Sequence, residues 1–187
     1  VQQTWSLSWL LTMRDLDIDI YDTPAHYNHR FGDFEPFKLK GKHVNFGFVK
    51  IPKNMSTKIK EAIQKHPDFI EMPNNNPRYD LSDFKFFTVI RPEYERLFSG
   101  IDTWLRNDDT VHTKTEKMQR TLVDIITDPC CWDEHLEPQI SFLLPFLEHN
   151  VKVKVIDLDK DLNKNLSTFL GIDLDLPEWD DKMPKKA

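Results

Sequence analysis

The sequence predicts an α/β domain whose central, mainly parallel sheet is flanked by helices. Three observations carry that expectation. Three β-rich runs stand far apart, at His43 to Ile51, Phe84 to Ile90 and Val151 to Leu158. Stretches with apolar residues at helical spacing lie between them. Turn residues separate the two kinds of segment, which is the alternation of an α/β chain. The 187 residues suffice for one such domain with its own core and are too few for two. The expected organisation is therefore a single domain over 1–187, with an irregular segment at 1–42, a folded core at 43–172 and a tail at 173–187.

Residues 1–40 hold no sustained period. Trp5, Trp9 and Leu10 share one helical face, and an aromatic, turn-rich stretch follows around Pro24, His26, Tyr27, His29 and Phe31. The first strand, His43 to Ile51, stops at Pro52. Ser56 or Thr57 is placed to cap a helix ending near His66, with Ile59, Ala62 and Ile63 inward. Pro67 to Pro77 reads as a loop, and Asn74-Asn75-Asn76-Pro77 is strong turn chemistry. The second strand ends at Arg91-Pro92, and a helix runs on toward Arg106. After a polar loop at 107–114, Thr115 to Thr127 forms an amphipathic helix with Met118, Leu122, Ile125 and Ile126 inward. Pro138 starts another helix. The third strand, Val151 to Leu158, leads to a last helix, Asp161 to Leu170, with Gly171 as its C-cap.

Composition excludes several functions. The net charge of -6 argues against a duplex-DNA binder while leaving room for a local basic pocket. Only 5 glycines rule out a Gly-rich dinucleotide loop. The adjacent Cys130 and Cys131 do not bridge each other readily and do not make a zinc site by themselves, so they read as reduced thiols and no metal is expected. No apolar run approaches the roughly 18–20 residues of a membrane span. Trp5 to Met13 is short and lacks a basic start, so it is a poor signal peptide. Nucleic acid is thus not an expected partner, and no membrane span is expected in this chain.

The most informative stretch is Lys50-Ile51-Pro52-Lys53-Asn54-Met55-Ser56-Thr57-Lys58. A loop from a strand end to a helix start presents free backbone N–H groups, and the helix dipole favours an anion there. Lys53 and Lys58 add charge, Ser56 and Thr57 add hydroxyl donors, and Asn54 and Met55 complete the loop. The Walker glycines and the terminal Gly-Lys-Ser/Thr are missing. The competing reading is a capped surface helix beside ordinary lysines. A second strand-to-helix corner repeats the pattern: Arg91 stands at the carboxyl end of its strand, where α/β sheets bind ligands, and Ser99 follows on the helix. Arg96 reads as an ion-pairing helix residue.

In these residues the chain resembles the sulfotransferases that use 3'-phosphoadenosine 5'-phosphosulfate (PAPS). Pro52, Lys53, Ser56 and Thr57 match their 5'-phosphosulfate loop, Pro-Lys-x-Gly-Ser/Cys-Thr/Ser. Arg91, Tyr94, Arg96, Leu97 and Ser99 match their 3'-phosphate motif, Arg-Asp-Pro-Tyr-x-Arg-Leu-x-Ser. Asp133-Glu134-His135-Leu136-Glu137-Pro138-Gln139 is similar to the Asp/Asn-x-His-x-x-Pro-Gln segment of the carbohydrate (Golgi-type) branch. Val155 to Leu158 with Asp161 to Gly171 resembles that branch's last strand and helix. The likeness spans roughly residues 43–172, in the family's order. Two departures stand out: Met55 replaces a frequent glycine, and Pro92-Glu93 replaces Asp-Pro.

The resemblance implies a P-loop-like sulfotransferase fold and transfer of a sulfuryl group from PAPS to an acceptor hydroxyl, by in-line attack and without a metal. It casts Lys53, Asn54, Met55, Ser56, Thr57, Lys58, Arg91 and Ser99 as cofactor-binding residues, with Lys53 also stabilising the leaving group. His135 is the expected general base, because histidine accepts a proton near neutral pH; His26, His29, His112 and Glu134 are its alternatives. The third motif leans toward a carbohydrate acceptor, and Trp104, Trp132 and Tyr79 offer faces for stacking sugars, with core packing as the competing use of the tryptophans. A small-molecule kinase and a nucleotide-binding module without chemistry are the rival classes. Asn54-Met55-Ser56 is a glycosylation sequon inside the cofactor loop, where a glycan would block the site, so a cytoplasmic protein of bacterial or viral kind is expected.

Overall fold

The computed structural model describes residues 34–74, 79–106, 135 and 137–177. Among the described residues the elements are strands β1 (Glu35–Leu39), β2 (Asn45–Phe48), β3 (Phe69–Glu71), β4 (Phe84–Ile90) and β5 (Val153–Asp157), with helices α1 (Ser56–Lys65), α2 (Glu93–Arg106), α3 (Leu144–Glu148) and α4 (Leu162–Leu170). Short 3-10 turns cover Leu81–Asp83 and Gln139–Phe142. The sequence features at Trp5 to Phe31, Thr115 to Thr127, Cys130, Cys131 and the tail beyond Pro177 lie outside the described residues.

The strands form one open sheet in the order β3-β1-β2-β4-β5. β2, β4 and β5 run parallel to one another, while β1 pairs antiparallel with both β2 and β3. The fold is therefore α/β with a mixed sheet, and the expected mainly parallel arrangement holds only for its β2-β4-β5 half. The antiparallel half comes from two strands that the sequence hides. Glu35–Leu39 falls in the segment expected to be irregular, and Phe69–Glu71 falls in the expected loop after His66.

Alternation along the strands builds a core on each face of the sheet. Phe37, Leu39, Phe46, Phe48, Phe87, Val89 and Ile156 face Ile59 and Ile63 of α1 and Leu162, Leu166 and Leu170 of α4. On the opposite face Phe84 and Phe86 meet Phe142 and Phe146. β4 is an interior strand largely buried on both sides, which explains its mostly apolar sequence. Tyr79 joins this second core, with its ring 5.3 Å from that of Phe84 and its hydroxyl donating to the Pro73 carbonyl. Gly47 is required by close approach: a Cβ there would lie 2.4 Å from the Phe86 ring. Gly171 closes α4 in the left-handed conformation at φ 66, as the sequence predicts.

Candidate anion-binding site

β2 and β4 are adjacent and parallel, so their carboxyl ends open on the same edge of the sheet. The pairing continues past β2, where Val49 N–H donates to the Phe87 carbonyl at 2.9 Å and Thr88 Oγ1 donates to the Val49 carbonyl at 2.8 Å. The chain then turns through Ile51 to Met55 into α1, while β4 turns at Arg91 into α2. Both corners singled out in the sequence thus lie side by side.

The loop is shaped by two left-handed residues, Lys53 at φ 69 and Met55 at φ 57. Met55 is the N-cap of α1 and contributes no side-chain cap. Ser56 is the first helical residue and is buried, so neither it nor the exposed Thr57 caps the helix as expected. A cap requires its oxygen one residue before the helix, and the left-handed turn puts Met55 there instead. The first turn of α1 also contains no acidic residue. An uncapped, unneutralised helix start carries the partial positive charge of its unsatisfied N–H groups. Met55 stands where the loops that the sequence resembles often have glycine, and it adopts the backbone conformation that glycine favours. Its side chain packs against the core shared with Ile59, which anchors that conformation.

Lys53 Nζ donates to Thr103 Oγ1 at 2.6 Å, and Thr103 Oγ1 donates in turn to the Ser99 carbonyl at 3.1 Å. The Arg91 guanidinium donates through Nη1 to the Lys53 carbonyl at 3.2 Å and through Nη2 to Glu95 Oε2 at 3.3 Å. Lys53 and Arg91 therefore meet at one place, and Ser99 is linked to it through its backbone carbonyl and Thr103. Lys58 instead turns to the outer surface of α1, where it pairs with Glu61 at 3.1 Å. Arg96 is fully buried; its Nε donates to the Pro52 carbonyl at 3.1 Å, and its guanidinium lies 3.6 Å from Glu93 and 5.8 Å from the centre of the Phe142 ring. It is the expected ion-pairing residue, and it also props the loop from below.

Asn54 is buried, and its Nδ2 donates to the Val89 carbonyl at 2.7 Å and to Gln139 Oε1 at 2.6 Å. Gln139 also receives the Arg91 N–H at 3.2 Å and donates to the Arg91 carbonyl at 2.8 Å and to Glu93 Oε2 at 2.5 Å. Sequence reasoning did not assign Asn54 this interior role, and it did not assign Thr103, Glu93, Glu95 or Gln139 to the site. Gln139 had a signal, because it closes the segment that begins at Asp133. His135 is half-buried in that segment, four residues before the side chain that reaches the loop. His26, His29, His112, Glu134, Trp132 and Asp133 lie outside the described residues, as does the side chain of Trp104.

Among the described residues no group of histidine, cysteine and carboxylate side chains is arranged to hold a metal ion, and no helix is long and apolar enough to cross a membrane. Comparison with family models, with curated proteins and with solved structures returns no match to this chain.

Proposed function

We propose that this chain is a sulfotransferase that moves the sulfuryl group of PAPS to an acceptor hydroxyl, of a carbohydrate, by in-line transfer. The observation that carries the reading is the uncapped start of α1 behind a left-handed Met55, with Lys53 and Arg91 gathered beside it. These residues fit the donor by charge and by hydrogen-bonding type: N–H groups and hydroxyls for the 5' end, a guanidinium and a hydroxyl for the 3'-phosphate. PAPS, when bound, supplies the sulfuryl group and the nucleotide that leaves.

The chain's own part is positioning and electrostatics. The N–H groups of Ser56 and Thr57, with their hydroxyls, hold anionic oxygens at the helix start. Lys53 places its ammonium against the negative charge that develops on the departing oxygen. Arg91 and Ser99 grip the 3'-phosphate and so separate this donor from ATP. To do so, Arg91 exchanges its contact with Glu95 for the phosphate. His135 takes the proton of the acceptor hydroxyl. The burial of Asn54, with both Nδ2 hydrogens committed, supports a cytoplasmic setting, because a glycan at that nitrogen is incompatible with the loop.

The test compares transfer of labelled sulfate from PAPS with transfer of the terminal phosphate of ATP, across an acceptor screen. Sulfate transfer that Lys53→Ala abolishes upholds the reading. Phosphate transfer from ATP makes the chain a kinase. Binding of adenosine 3',5'-bisphosphate with neither transfer makes it a nucleotide-binding module. At about 100 times its dissociation constant that nucleotide stabilises the fold by about 2.7 kcal/mol. AMP, which offers nothing to Arg91 and Ser99, does much less.

A further inference from the structure

The β2–α1 loop and the β4–α2 corner carry the two halves of the candidate site, and one neutral side chain ties them together. Gln139 commits every hydrogen-bonding position of its amide. Its Oε1 accepts from Asn54 Nδ2 and from the Arg91 N–H. Its Nε2 donates to the Arg91 carbonyl and to Glu93 Oε2. Its backbone N–H adds a bond to Glu93 Oε1 at 3.3 Å. Two donors and two acceptors on one side chain are the property of a carboxamide, and a carboxylate or an aliphatic chain of the same length cannot reproduce them. Gln139 is buried, so a lost bond is not replaced by bulk water.

We propose that Gln139 is the positioning residue of this site. It fixes the separation between the Lys53–Met55 turn and Arg91, and thereby the affinity for a ligand that must be gripped at both, a nucleotide with phosphates on its 3' and 5' oxygens. The inference rests on the nucleotide reading above. Gln139 acts through Asn54 and through the Arg91 backbone. A ligand held at one end does not sense the separation of the two halves, whereas a ligand held at both ends does. This is what distinguishes a positioning role from a merely structural one.

The experiment measures the affinities of adenosine 3',5'-bisphosphate and of AMP calorimetrically, on the full chain, well below the melting temperature of each variant. Gln139→Met keeps the volume and removes the four bonds. Gln139→Glu sets a carboxylate against Glu93 and removes the donor to the Arg91 carbonyl. Each is expected to weaken the bisphosphate about tenfold, the scale of one buried polar contact, and to change AMP less than about twofold. Adding Glu93→Gln to Gln139→Glu restores one donor between the two side chains and recovers part of the loss. Equal weakening of both nucleotides, or no weakening of the bisphosphate, overturns the proposal. If the unmodified chain binds neither nucleotide, the nucleotide reading falls and amide hydrogen exchange judges the tie itself. Faster exchange at the Arg91 amide in Gln139→Met, with α4 unchanged, upholds it, and unchanged exchange at Arg91 overturns it.

Discussion

Replacing Asn54 tests how the loop is fastened. The residue is 1% exposed, and Nδ2 donates to the Val89 carbonyl and to Gln139 Oε1. Asn54→Ala removes both bonds, at about 0.5–1.5 kcal/mol each, and leaves acceptors in the interior with a donor missing, at about 1–3 kcal/mol for a group orphaned outright. Gln139 Oε1 keeps the Arg91 N–H, so the Val89 carbonyl bears most of that cost. One term opposes the loss: Asn54 Oδ1 is itself buried with no hydrogen-bond partner, and alanine removes it. The balance is a destabilisation of about 2–3 kcal/mol, with the melting temperature lowered by roughly 4–12 °C for a chain of this size. Asn54→Asp keeps the shape but turns an oxygen toward two acceptors, and at pH 7 it buries a charge there. Its carboxyl pKa in the folded chain is then raised above the unfolded value of about 3.9. A raised pKa means that stability is fully present below the unfolded value and is lost as pH rises through the folded one. The deficit of Asn54→Asp against the unmodified chain must therefore grow with pH. Calorimetric melting between pH 4 and pH 8 reads it. A variant that melts with the unmodified chain at pH 7, or whose deficit shrinks as pH rises, refutes the donor assignment at Asn54.

Glu95→Gln removes the carboxylate that holds Arg91 at 3.3 Å, so the affinity for adenosine 3',5'-bisphosphate should rise. A gain of about fivefold corresponds to a pair contributing ~1 kcal/mol, and unchanged or weaker binding in a titration rejects the competition between Glu95 and phosphate. At Glu35, burial pushes the pKa up, but the hydrogen bond and charge of Lys60, with Lys50 adding to them, outweigh burial and hold the carboxyl below its ordinary value. A lowered pKa gives stability that is present above the unfolded value and lost as pH falls through the folded one. The melting-temperature advantage over Glu35→Gln should accordingly shrink between pH 7 and pH 3, and a gap that ignores pH would falsify the ion-pair account. Gly47→Ala drives a methyl to 2.4 Å from the ring of Phe86, which is 2% exposed and hemmed in by Phe84 and Phe146. Overpacking of this kind costs about 1–3 kcal/mol, so a variant as stable as the parent in a denaturant melt would place Phe86 elsewhere.

The elements with a strong local pattern were legible in the sequence. β4 is mostly apolar, with Phe86, Phe87 and Val89 buried across both faces, and α1 and α4 repeat their leucines and isoleucines at helical spacing. β1 and β3 were not legible for the converse reason. β1 is five residues with a proline at its second position, and β3 is three residues, none of them buried. Neither carries enough alternation to separate it from a loop, and both owe their conformation to pairing, β1 with β2 and β3, and β3 with β1. In the site, the charges announced themselves: Lys53 and Arg91 stand at strand ends, where the fold brings them together. Neutral amides give no comparable signal. The bond from Asn54 to Gln139 joins positions 85 apart, and although the segment closed by Gln139 stands out in the sequence, nothing in it points to Asn54. Met55 departs from glycine in sequence, yet its backbone adopts the left-handed conformation that glycine favours, held by side-chain packing that the local sequence does not encode.

The long reach of that amide bond has a consequence for how the chain matures. The loop at 51–55 leaves the ribosome well before Gln139, and its last fastenings wait on a segment 85 positions later. Contacts of such separation form late, because a long stretch of chain must be closed before they bring any gain. During synthesis the β2–α1 hinge is therefore an unfinished socket, with Asn54 still open to solvent and Arg91 still free of its amide clasp. On the nucleotide reading proposed above, a grip on both phosphates would become available only after the segment around Gln139 has been made and has docked against the loop.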